Sequence, residues 1–260
     1  MKRGRLLLGL ISLWFIAVMP AYADEAAERL ESIVIDTFDD PSERVWLESG
    51  REKREKREWV AVGSKFATKE GDVQFPVKAF PEVWPSALFD RNTEGQTLRS
   101  LGIHGKFDRK GFNYVEIYPV KDDGTGKLIH APYSLPGIAK MIDIWVWGSL
   151  YNYTLEVHLR DFQGIPHVLE MGSLWYKGWK NLTVRVPSGI RQTQNQIPNY
   201  QGMQLTKFVV RTNPNERVDN FYVYFDNLKV LSDMHLNPFD GRELADPAFL
   251  QKIWNPEGAN

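Results

Sequence analysis

Apolar and polar residues alternate with a period of two along ten short stretches of the chain. They are Ser32–Phe38, Trp59–Ser64, Leu98–Phe107, Phe112–Pro119, Met141–Gly148, Tyr153–Arg160, His167–Leu174, Asn181–Val186, Lys207–Arg211 and Phe221–Leu231. A period of two sends successive side chains to opposite faces, so each stretch reads as a strand with one dry side and one wet side. Turn-forming sequences such as Asp122-Asp123-Gly124, Gln163-Gly164 and Asn213-Pro214-Asn215 lie between them. Many short strands with almost no helical periodicity predict an all-β, antiparallel β-sandwich of the jelly-roll kind over residues 24–231. There is no repeat of fixed period, and no linker long enough to divide two domains.

One strand departs from the pattern. Ile142, Ile144 and Val146 form an aliphatic face, but the opposite face carries Asp143, Trp145 and Trp147. Large aromatic residues on the wet side of a strand point to a surface made for contact, and both tryptophans are candidate protein-interface residues. For Trp147 a second reading stays open, in which the protein's own loops cover it. Trp145 is the stronger interface candidate.

Two segments lie outside the strand pattern. Residues 51–58 read REKREKRE, with Glu52/Lys56 and Arg51/Glu55 spaced i,i+4. That spacing predicts a charged loop or helical turn. Arg51, Lys53 and Arg54 are candidates for electrostatic contact with a neighbouring subunit. In the tail, 232–260, Asp246 and Pro247 make a helix start, and Phe249, Leu250, Ile253 and Trp254 share one face of a short C-terminal helix. A helix of two turns is marginal alone. Phe249 and Trp254 therefore dock either on the sandwich or on a partner.

The amino terminus changes the picture of where the protein works. Lys2, Arg3 and Arg5 precede an apolar run from Leu6 to Met19, followed by Ala21-Tyr22-Ala23. This is the layout of a cleaved export signal over residues 1–23. The run is shorter than the roughly 20 residues a spanning helix needs, so the expectation is an exported protein and not an integral membrane protein. Without the signal, 29 basic residues face 33 acidic ones. An acidic balance disfavours nucleic acid as a partner. The chain has no cysteine, which removes thiol nucleophiles, thiolate metal sites and disulfides. Aromatic residues make up 13% of the chain, which suits a sandwich core, a sugar-stacking platform or a protein interface.

Candidate chemistry is sparse. The five histidines (His104, His130, His158, His167 and His235) are scattered without metal-ligand spacing and read as surface or satisfied side chains. No G-x-S-x-G, P-loop or dinucleotide fingerprint is present. Acidic residues are available for glycoside hydrolysis, but no motif pairs them. No cofactor and no catalytic residue is expected. One ionic possibility concerns the first and last strands. In sugar-binding jelly rolls of the carbohydrate-binding-module or galactose-binding type these strands are neighbours, and carboxylates at their ends can hold a structural calcium. The corresponding residues here are Asp36, Asp39 and Asp226; the alternative is that they cap turns and strand ends.

Several segments in order resemble the spirochaetal flagellar filament outer-layer, or sheath, proteins. The most specific is Gly172-Ser173-Leu174-Trp175-Tyr176-Lys177-Gly178-Trp179-Lys180-Asn181-Leu182. The paired strands Ile142–Gly148 and Leu155–Gly164, the stretch Ile197–Phe208, and Phe221–Val230 are also similar to that family, and together these cover about residues 97–232. The resemblance implies a structural, non-catalytic protein of the periplasm. Its partners would be the flagellin core filament and other sheath subunits in a heteromeric assembly. The contrasting reading is a periplasmic glycan-binding β-sandwich module.

Overall fold

The computed structural model describes residues 30–40, 44–48, 51–55, 57–89, 97–192, 202–234 and Trp254. The export signal, Phe249 and, Trp254 apart, the expected C-terminal helix fall outside the described residues.

In chain order the strands are β1 (Leu30–Asp36), β2 (Arg44–Glu48), β3 (Arg51–Glu55), β4 (Glu58–Gly63), β5 (Lys69–Glu70), β6 (Val73–Gln74) and β7 (Val77–Ala79). After one helical turn, α1 (Ser86–Phe89), come β8 (Leu101–Gly105), β9 (Tyr114–Asp122), β10 (Leu128–His130), β11 (Tyr133–Ser134), β12 (Ile138–Ser149) and β13 (Tyr153–Arg160). The last four are β14 (Pro166–Ser173), β15 (Lys177–Arg185), β16 (Gln204–Thr212) and β17 (Phe221–Asp233). All ten predicted strands are present. Within the described residues, no helix is long and apolar enough to cross a membrane.

Two antiparallel sheets form the sandwich. The first runs β15-β12-β17-β8-β7, with β1 paired to β17; the second runs β10-β9-β16-β13-β14, with β4 on β9 and β11 on β16. The alternation in the sequence explains the layering. Ile142, Ile144 and Val146 of β12 are fully buried and face Leu155, Val157 and Leu159 of β13 across one core. Val115, Ile117, Phe208, Val210, Phe221, Val223 and Phe225 complete its centre. Burying such side chains contributes about 1.5–3 kcal/mol each, the main term in a fold without disulfides.

The charged run needs correction. Residues 51–55 are not a helical turn or loop but strand β3, paired with β2 so that Arg44 stands opposite Glu55 and Glu48 opposite Arg51. An i,i+4 charge spacing is also even-numbered, so it fits a strand face as well as a helix face.

The long strand β17 bulges against β12. Between the pairs Asp143↔Lys229 and Trp145↔Asp226 it has one residue more than β12, and Asn227 has a positive φ of 46°. This bulge lets both Phe225 and Leu228 enter the core, with Asp226 and Asn227 between them.

Candidate interaction face

On the outer side of the first sheet, register brings together aromatic residues that are distant in sequence. Trp147 of β12 pairs with Trp179 of β15 on one side and Tyr224 of β17 on the other. All three are half-buried. Trp147 and Tyr224 meet edge to face, with ring centroids 5.4 Å apart and planes at 80°. Next along β17, Tyr222 stacks on His104 of β8 at 4.2 Å, and Phe75 meets the same imidazole edge-on at 5.0 Å. His104 is held in place by Asn220, with Nε2 2.7 Å from Oδ1.

Gly102 of β8 belongs to this face because of what it lacks. A Cβ there would sit 2.9 Å from the Tyr224 ring and 3.4 Å from Pro81, so the tyrosine can lie flat against the strand only over a glycine. Burial raises the Tyr224 hydroxyl above its usual range.

The two tryptophans flagged from the sequence thus occupy the expected side of β12, and both are half-buried there. Trp147 sits in the aromatic row, whereas Trp145 pairs in register with Asn181 and Asp226. The sequence reading missed Trp179, Tyr222, Tyr224 and His104. The signal was available in Tyr222-Val223-Tyr224-Phe225, where Val223 and Phe225 are buried and the tyrosines face outward. Trp175, in the turn between β14 and β15, is 68% exposed. Trp254 is 78% exposed. Arg51, Lys53 and Arg54 lie on β3, opposite Glu48, Trp46 and Val45.

The three carboxylates considered for calcium do share one region, because β1 and β17 are neighbours. Asp36, however, is committed to hydrogen bonds. Its Oδ2 accepts from Trp59 Nε1 at 2.7 Å and from Tyr133 Oη at 3.1 Å, and its Oδ1 accepts from the Phe38 amide at 2.8 Å. This buried carboxylate ties β1 of the first sheet to β4 and β11 of the second. Asp39 accepts from the Arg99 amide at 2.9 Å. Asp226 accepts from Ser100 Oγ at 3.2 Å through Oδ2, while its Oδ1 and the Oδ1 of Asn227 are buried without a hydrogen-bond partner. Burial, together with the charges of Asp39 and Asp36, pushes the Asp226 carboxyl up to about 8. Among the described residues, no three His, Asp or Glu side chains are placed to hold a metal ion.

The described histidines are all engaged: His104 with Asn220, His130 with the Thr206 carbonyl, His158 with Glu156 and His167 with Asp161. Asp161 is held below the usual carboxylate range by His167 and the amides of Ile165 and Gln163, against the opposing effect of burial. These groups stabilise turns and strand faces.

The described residues form a two-sheet β-sandwich with a row of aromatic residues on one outer face. The chain belongs to the FlaA family of flagellar filament outer layer proteins, whose sequence model matches residues 80–238. It is 29% identical over 147 residues to a flagellar filament outer layer-like protein of Brachyspira hyodysenteriae, covering 56% of this chain and 62% of that one. It is 31% identical over 103 residues to the flagellar filament outer layer protein of Borreliella burgdorferi, covering 36% of this chain and 30% of that one. The chain thus spans less than two thirds of the length of either relative. Solved structures with similarity include TmCBM61 in complex with β-1,4-galactotriose (14% identity, 67% of this chain and 88% of that one, TM-score 0.37). Another is the family 11 carbohydrate-binding module of Clostridium thermocellum (10% identity, 78% and 96%, TM-score 0.37).

Proposed function

We propose that this chain is a non-catalytic subunit of the outer layer of periplasmic flagella, coating the flagellin core and packing against sibling sheath subunits. The basic and apolar layout of residues 1–23 supports export by a cleaved signal, which would place the chain in the periplasm. The observation that carries the reading is the row Trp179–Trp147–Tyr224, which lies within the family-matched segment and presents half-buried rings on an outer sheet face. Aromatic anchors of this kind dominate protein interfaces, where truncating one typically costs about 2 kcal/mol or more. A rigid sandwich fixed at that row would contribute stiffness and curvature to the filament, and so act on motility mechanically.

The reading is tested by deleting the gene and imaging the filaments. Flagellin export is expected to persist while filament curvature changes and swimming is impaired. Unchanged curvature and swimming, in a strain also lacking any paralogue, overturn the proposal.

A further inference from the structure

The second sheet carries a groove on its outer side, remote from the aromatic row. Its origin is a bulge. Between the pairs His158↔Lys207 and Leu159↔Leu205, β16 has one residue more than β13, and that residue is Thr206. The pairing of β16 with β9 stops at Phe208↔Ile117, and its pairing with β11 begins only at Leu205. The Thr206 carbonyl, which a continuous strand would have satisfied, is instead met by His130 Nε2 at 2.9 Å. Because a carbonyl only accepts, this nitrogen carries the proton. The resulting groove has a volume of about 480 Å³, within the range of small-ligand sites.

Its chemistry is uneven in an informative way. Tyr118, half-buried, forms an aromatic wall set edge-on to His130 at 5.4 Å. Lys207 is answered by Glu116 at 2.5 Å, and Glu156, beside the groove, by Arg211 at 2.5 Å and His158 at 3.0 Å. Arg160 also lines the groove, is exposed, and makes no ion pair among the described residues. Its neighbour Asp161 turns its oxygens to the amides of Gln163 and Ile165 and to His167. Among the described residues, the groove therefore holds one uncompensated cation, a planar guanidinium suited to gripping a carboxylate with two parallel hydrogen bonds.

The floor argues against a peptide. β16 is flanked by β13 throughout the groove, and its free carbonyl is already taken, so no open edge invites an added strand. The walls also lack the row of apolar pockets that an amphipathic helix requires. What remains is an aromatic ring, several hydrogen-bonding side chains and one unpaired guanidinium. We infer that the groove between β9, β13 and β16 binds a carboxylate-bearing oligosaccharide, with a sugar ring against Tyr118 and the carboxylate on Arg160.

This inference is independent of the sheath reading. The test titrates the full chain calorimetrically with trigalacturonate and with neutral galactotriose, beside Arg160→Ala and Tyr118→Ala, each checked for an unchanged fold by circular dichroism. Expected is binding of trigalacturonate that weakens with added salt, falls at least tenfold in each variant, and exceeds binding of the neutral trisaccharide at least tenfold. Absence of binding, equal affinity for both sugars, or affinity unchanged in Arg160→Ala overturns the inference. So does displacement of the sugar by poly-glutamate binding more tightly, which would assign the groove to an acidic peptide. Filament association measured on the same variants separates this outcome from the fate of the proposed function, since neither residue lies on the aromatic row.

Discussion

Trp147 and Tyr224 meet edge to face on the outer side of the first sheet, their centroids 5.4 Å apart, although one belongs to β12 and the other to the last strand. The pair joins two strands whose inner faces form the core, and its outward side remains partly open to solvent. Its contribution to folding is therefore smaller than that of a fully buried pair.

Trp147→Ala is expected to lower stability by only about 1–2 kcal/mol, the loss of one edge-to-face pair and part of a half-buried ring. The same change should weaken association with filaments at least tenfold. Thermal unfolding of the isolated chain and co-sedimentation with filaments measure the two effects. A variant that fails to fold would place Trp147 in the core.

Gly102→Ala introduces a methyl group 2.9 Å from the Tyr224 ring. The ring must lift or rotate, at an expected cost of about 1–3 kcal/mol as for other overpacked sites. Loss of filament association with only a moderate fall in Tm is the expected result, because the displaced ring breaks the row without opening the core.

Asp36→Ala removes the acceptor shared by the buried Trp59 and Tyr133 side chains. Hydrogen bonds to a charged group contribute about 1.5–3 kcal/mol each, so the variant should lose several kcal/mol in urea unfolding and free the sheets at that end. Trp59 fluorescence is expected to report the change. A loss below about 1 kcal/mol would show that the carboxylate does not tie the sheets.

The pH dependence of stability should carry the mark of Asp226. Its carboxyl is raised to about 8 in the fold by burial and by the neighbouring carboxylates, from an ordinary value near 3.8. Between these values the folded chain holds a proton that the unfolded chain has lost, so this group's stabilising contribution is complete below about 4 and lost as pH rises through about 8. Asp226→Asn should abolish that part of the decline and raise Tm at about pH 8 relative to the wild type. Parallel Tm–pH curves for the two proteins would rule the assignment out.

Strand positions were legible in the chain because alternation is local. In β13, Tyr153, Leu155, Val157 and Leu159 declare the buried face without reference to any partner. The same local signal misled at Arg51–Glu55, where every side chain is charged. Such a run contains no contrast between buried and exposed positions, so its spacing suits a helix and a strand alike, and pairing with Arg44–Glu48 decided the matter. The calcium expectation divided similarly. Neighbouring terminal strands were foreseeable from the fold, but the commitment of Asp36 to Trp59 and Tyr133 depends on side chains from the opposite sheet.

By itself, the sequence determined the fold class, the inner and outer face of each major strand, and the outward placement of Trp145 and Trp147, since all of these follow from periodicity within a few residues. Tertiary structure decided which aromatic residues stand together, why Gly102 must be glycine, and where the bulge at Thr206 opens a groove. Those features depend on register between strands far apart in the chain, and register is an energy of paired side chains that no single strand contains.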